Sequence, residues 1–390
     1  MASKADKAPP VRSPIAAGST FYLAASLYAA IVLPWSVLAM MGIVSGPPSL
    51  ATPLGHAHEM LLGYALAVVA GNQLGALSPA RRWALLTAWL AARLAFIAFG
   101  GIVAAAFDIA FVAALGVHAT PRLFRAAKKL RNQALPVIIS ALCAAAVAFD
   151  VAAFALGDAS AHEIALGVVL ALAALMLFMG GRIIAPAAAG QFYRQGAALD
   201  ARVQPRIEGT ILVAMALAVG SAPFAPLVAA TQIACAVAGA LAVVRLLRWR
   251  LWACKGRPDL WCLGAGYLWL GAGLLGIALA AQGALRTAAM HLVTVGALGT
   301  LTFNVMTITM LTRAHRPGAD EARLVWGTLL IALATIARFA AALAPDRAVE
   351  LFVAAAACWS VAFLVAAWIL IDAVRGHARW LREKAARGAA

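Results

Sequence analysis

Residues 55–74 read GHAHEMLLGYALAVVAGNQL. Two imidazoles and a carboxylate, His56, His58 and Glu59, open the stretch, and after Met60 it carries no charged side chain. Such a run is apolar enough to enter a bilayer, and the rest of the chain repeats it. Of the 390 residues, 64% are hydrophobic and 12% charged, with a mean hydropathy of +0.91. A soluble domain carries about 25% charged residues, so too little polar surface exists here to cover a water-facing globule. The apolar runs are about 20 residues long, as helices require, rather than the roughly ten alternating residues of a barrel strand. The expected fold is therefore all-α, a polytopic integral membrane protein.

Runs long enough to cross about 30 Å of hydrocarbon number twelve. They lie near 21–44, 56–77, 83–99, 101–120, 134–156, 163–186, 209–224, 227–245, 260–281, 287–311, 323–344 and 348–372. Gly100-Gly101 and the SAPFAP segment (221–226) make the tight turns. With the N-terminus cytoplasmic, the loops after even-numbered spans hold the basic groups, among them Arg81, Arg82, Arg122, Lys128, Arg194 and Arg250. The opposite loops hold only Arg286 and Arg347. This is the positive-inside pattern for twelve spans with both ends cytoplasmic. The organisation read from it is a disordered basic tail over 1–20, one transmembrane domain over 21–374 and a basic cytoplasmic tail over 375–390. The net charge of +16 is then mostly topology, and a nucleic-acid partner is not expected. The partner is the lipid bilayer.

Several familiar chemistries are absent. The five cysteines include no CxxC pair and mostly fall within apolar runs, where they read as small buried residues. Glycines in GAGYLWLGAGLLG (264–276) and VGALGT (295–300) read as close-packing positions between helices in lipid. No GxGxxG or Walker sequence occurs.

Ionisable residues inside spans carry the functional information, since each is costly unless paired or used. His56, His58 and Glu59 open span two at the outer face, and His162 and Glu163 open span six there. His291 lies about one turn into span ten; Asp150 and Arg338 lie about two turns below the outer ends of spans five and eleven. Arg93 and Asp108 stand symmetrically about the Gly100-Gly101 turn, roughly 10–12 Å below the outer surface. That spacing predicts an ion pair across the hairpin, with Arg93 also available to an anionic group such as a haem propionate. His56 and His58 project about 200° apart on a helix, so one faces inward. Neutral imidazole suits haem iron, copper or zinc. The similar depth of His58 and His291 predicts an axial pair, with Glu59 orienting the His58 ring.

These residues sit in a recognisable order. GHAHEMLLGYALAVVAG, WLAARLAF with Arg93, AFDIAF with Asp108, RNQALP, GGRIIAP with Arg182 and MHLVTVGALGTLTFNVMT with His291 succeed one another over residues 56–307. In this the chain resembles the NnrS family, bacterial inner-membrane proteins associated with nitric oxide and denitrification. The resemblance implies a twelve-helix membrane protein with haem and copper and a role in handling nitric oxide or nitrosative stress. It makes His56, His58 and Glu59 the metal or haem residues of span two and His291 that of span ten. Arg93, Asp108 and Arg182 are then supporting polar positions.

The chain also departs from the family pattern. Gly264 stands where the family has a histidine, Ile308 where it has an arginine, and residues 312–318 read TRAHRPG in place of a Gly-His-Thr-Gly-Arg segment. These departures leave the copper ligand set incomplete. No complete catalytic constellation is visible. A dinuclear haem–copper reductase centre needs three more histidines, while span seven has none and span ten one. The competing reading is a secondary transporter using Asp108, Asp150 and Arg93 as an ion pathway; against it, the two halves show no internal repeat.

Overall fold

The computed structural model describes residues 15–155, 158–280 and 283–388, and among them every regular element is helical. The principal helices are α1 (Ile15–Met40), α2 (53–73), α3 (Pro79–Ala98), α4 (Gly101–Ala126), α5 (Leu130–Ala155) and α6 (Asp158–Arg194). They continue as α7 (Pro205–Ser221), α8 (Val228–Arg248), α9 (Pro258–Leu279), α10 (Gly283–Arg313), α11 (Ala322–Ala340) and α12 (Ala348–Gly388). Local chemistry explains several starts. Thr52 Oγ1 accepts from the Gly55 N–H at 3.0 Å and Pro53 opens α2; Ser78 and Pro79 do the same for α3. Gly100 and Gly101 turn α3 into α4 with φ of 62° and 55°, a region open to residues without a Cβ.

Among the described residues, ten helical segments are long and apolar enough to cross a membrane. The helices α2 and α3 lie beside them but carry more polar groups: His56, His58, Glu59, Asn72 and Gln73 on one, Arg81, Arg82 and Arg93 on the other. Both ends of the chain carry helix beyond the expected spans. The last helix continues to Gly388, so the basic C-terminal segment is helical over 375–388. Helix α1 begins at Ile15, inside the expected tail; residues 1–14 of that tail lie outside the described residues.

Consecutive helices pack side by side around the bundle, and α12 returns against α1. Inside, α6 touches α2, α9 and α10, and α10 touches α2 and α12. The apolar window of α6 is 83% buried, against 33% in α4 and α5, which marks it as the core helix. Close approach depends on small residues, as the glycine pattern predicts. A Cβ on Gly239 of α8 would stand 2.9 Å from the Gly271 carbonyl oxygen of α9. The cysteines are all free.

Candidate functional site

Two helices of the inner group depart from α-geometry at the histidines. In α2 the π segment Glu59–Ala65 begins directly after His58, and in α10 the π segment Leu292–Gly299 begins directly after His291. A π turn inserts a residue and re-aims the side chains beyond it, and such turns recur at functional sites. No residue pattern announces them, so they were not legible in the sequence.

The two span-two histidines face opposite ways, as their 200° separation on a helix requires. His58 turns towards α3, α4 and α5. Its Nδ1 lies 2.9 Å from Glu59 Oε1, and its Nε2 lies 2.9 Å from Asp150 Oδ1 and 3.5 Å from Asp108 Oδ2. The ring stacks on Phe96, centroids 4.0 Å apart. Arg93 Nη1 donates to Glu59 Oε1 at 2.5 Å, and Nη2 pairs with Asp108. His58, Glu59, Arg93, Asp108 and Asp150 are each at most 4% exposed. The Arg93–Asp108 pair across the glycine turn is present, and it is half of a larger cluster drawn from four helices. Tyr28 of α1 borders it: a Cβ on Gly63 would meet the Tyr28 ring, Arg93 Nη1 and Glu59 Oε2 together, so glycine leaves room for all three. Tyr28 gave no signal in the sequence because an isolated tyrosine in a span reads as packing.

His58 is therefore not placed with His291, since its ring faces Phe96, Asp108 and Asp150 on α3, α4 and α5. His56 is the imidazole near His291. These two lie within electrostatic range of each other and of Arg338 from α11. His291 Nδ1 donates to the Thr287 carbonyl oxygen at 2.7 Å, which leaves Nε2 with its lone pair free. His56 Nδ1 is buried without a hydrogen-bond partner. The Arg338 guanidinium lies over the Phe352 ring at 4.6 Å and makes no ion pair among the described residues. Two imidazoles and this guanidinium, from three helices, thus come within electrostatic range of one another.

The remaining expected positions lie apart from these two clusters. His162 and Glu163 are exposed, with Glu163 Oε2 3.9 Å from Arg286 Nη2. Arg182 donates to Asn132 Oδ1 at 2.7 Å and to the Arg131 carbonyl oxygen, so the GGRIIAP and RNQALP elements hold each other at the arginine-rich end. His315 also lies at that end, in a left-handed conformation (φ 59°) against Trp380, centroids 4.3 Å apart. At Gly264 a Cβ would stand 2.7 Å from Leu251, so leucine fills the space beside the expected histidine position. A stripe missed in the sequence reading is Thr300, Asn304 and Thr307 on α10, fully buried, with Asn304 donating to Thr328 at 2.9 Å. Its i, i+4, i+7 spacing was readable. Beside that helix an apolar cavity of about 80 Å³ lies between α2, α6, α9 and α10, bordered by Val68, Met176, Met179, Leu298 and Thr302. It has room for a small molecule, not a macrocycle.

Fold and site together define a helical integral membrane protein with buried histidine, carboxylate and guanidinium groups gathered on helices α2 to α5, α10 and α11. The comparisons agree with that class. The family model described as NnrS protein matches residues 19–376. The chain belongs to the NnrS family. No curated protein matches it.

Proposed function

We propose that this chain is a haem-binding protein of the bacterial inner membrane that handles nitric oxide, held by twelve spans with both ends cytoplasmic. The observation that carries the reading is the placement of His56 and His291, on different helices, within range of each other and of Arg338, which has no ion-pair partner among the described residues. Family membership supports it. The donor chemistry fits: the His291 Nε2 lone pair and the unpartnered His56 Nδ1 would suit iron ligation, and Arg338 would suit an acidic substituent of the macrocycle. The Nδ1–H of His291, anchored on the Thr287 carbonyl, holds its ring and tautomer, which is the usual outer support of a metal-bound imidazole. Bound haem supplies an iron centre able to take up nitric oxide. His56, His291 and Arg338 would be the residues of this chain that hold and orient it. Copper suits the same imidazoles, and metal analysis separates the two.

The test is an optical spectrum of protein purified from cells given ample haem. A Soret band is expected, and the His56→Ala, His291→Ala double variant loses it while His58→Ala keeps it. Absence of haem from the wild-type protein, or a Soret band unchanged in the double variant, overturns the assignment.

A further inference from the structure

The haem reading leaves the His58 cluster without a role. It holds three carboxylates, Glu59, Asp108 and Asp150, against one guanidinium, Arg93. With His58 neutral the cluster carries two excess negative charges in a region where every member is at most 4% exposed. Uncompensated charge at such a depth is strongly unfavourable. In addition, Glu59 Oε2 and Asp150 Oδ2 are buried without hydrogen-bond partners. Two carboxylate oxygens of the cluster thus face no donor.

The arrangement of the acceptors is specific. His58 Nε2, an Asp108 oxygen and an Asp150 oxygen come from three helices and lie within 4.8 Å of one another. Around a small divalent ion with bonds of about 2.0–2.2 Å, neighbouring ligand atoms stand about 2.8–3.6 Å apart, from octahedral to tetrahedral geometry. The separations from Nε2 are 2.9 Å to Asp150 and 3.5 Å to Asp108. Glu59 sits on the other ring nitrogen, where a carboxylate accepting from Nδ1–H fixes the tautomer that presents Nε2 as a ligand. Phe96 stacks on the ring and holds its plane.

We propose that His58 Nε2, Asp108 and Asp150 form a buried site for a divalent metal cation, oriented by Glu59 and separate from the His56–His291 pair. The doubly charged ion brings the cluster to neutrality, with Arg93 neutralising the third carboxylate. One imidazole and two carboxylates without a thiolate or thioether suit a borderline-to-hard ion such as Zn²⁺, Co²⁺ or Mn²⁺. The inference does not rest on the haem reading, since no residue is shared.

The test uses tag-free, detergent-purified full chain, stripped with chelator, incubated with Zn²⁺ and freed of excess ion. The wild-type protein is expected to retain one equivalent, and Co²⁺ in its place is expected to give visible ligand-field absorption from nitrogen and oxygen ligands. The His56→Ala, His291→Ala variant retains the ion. Asp150→Asn loses it, and Glu59→Gln weakens binding by about 10–100-fold. The wild-type measurement needs no variant to fold. If wild-type protein retains no Zn²⁺, or if Asp150→Asn retains as much as wild type, the site is refuted and the cluster is neutralised by protons. If retention disappears in the His56→Ala, His291→Ala variant instead, the ion belongs to the other site and the proposal also falls.

Discussion

Replacing Arg93 by leucine removes the one guanidinium from a cluster of three buried carboxylates. Arg93 is 1% exposed and holds both Glu59 Oε1, at 2.5 Å, and Asp108. Taking away one partner of a buried pair leaves the other as an unpaired buried charge, at a cost of about 3–5 kcal/mol. Replacing Arg93 and Asp108 together by leucine removes one charge of each sign and leaves the net charge of the cluster as it was. What remains is the loss of one donor to Glu59, about 1–3 kcal/mol. The double variant is therefore expected to be more stable than the Arg93→Leu single variant, although it carries one more substitution. Equilibrium unfolding in mixed micelles of rising SDS fraction, with chelator present, reads both differences. An Arg93→Leu cost below about 1 kcal/mol, the level of an exposed pair, refutes the buried-cluster reasoning. A double variant no more stable than the single refutes the charge-balance part of it.

Other parts of the bundle give two further expected outcomes. Gly239→Ala places a Cβ against the Gly271 carbonyl oxygen at 2.9 Å and the Leu275 backbone nitrogen at 3.0 Å. Backbone cannot turn aside, so α8 and α9 are forced apart, and the same unfolding assay is expected to show a loss of about 1–3 kcal/mol; an unchanged midpoint contradicts the close crossing. In the loop before α11, hydrogen bonds from Arg323, together with the nearby Arg316, hold the Glu321 carboxyl below its ordinary range. A depressed carboxylate pKa contributes stability above the unfolded value, about 4.3, and loses it as pH falls through the lower folded value. Thermal midpoints below about pH 4.3 are expected to fall less steeply in Glu321→Gln than in wild type; parallel acid limbs rule this linkage out.

Much of this was legible along the chain. Helix positions follow from runs of apolar residues, because in lipid every backbone group must be bonded within its own segment. The Arg93–Asp108 pair was legible because a two-glycine turn makes the two helices of a hairpin nearly mirror images in depth. The opposition of His56 and His58 was legible because a helix fixes the angle between its own residues. Their partners were not. His58 was expected to meet His291, and the fold gives it to Asp150 and Asp108 while His56 turns towards His291.

The reason lies in which quantities are local. Helix length and the angle between side chains on one helix are properties of the chain itself, and the sequence alone determined them here. The rotation of α2 about its own axis is set by what packs on all sides: Phe96 and Asp150 against one face, α10 and α11 beyond the other. The π turns after His58 and His291 change that rotation part-way along each helix. Only the tertiary structure decided which imidazole meets carboxylates and which meets a second imidazole, because that choice depends on helix rotation relative to neighbours distant in the chain.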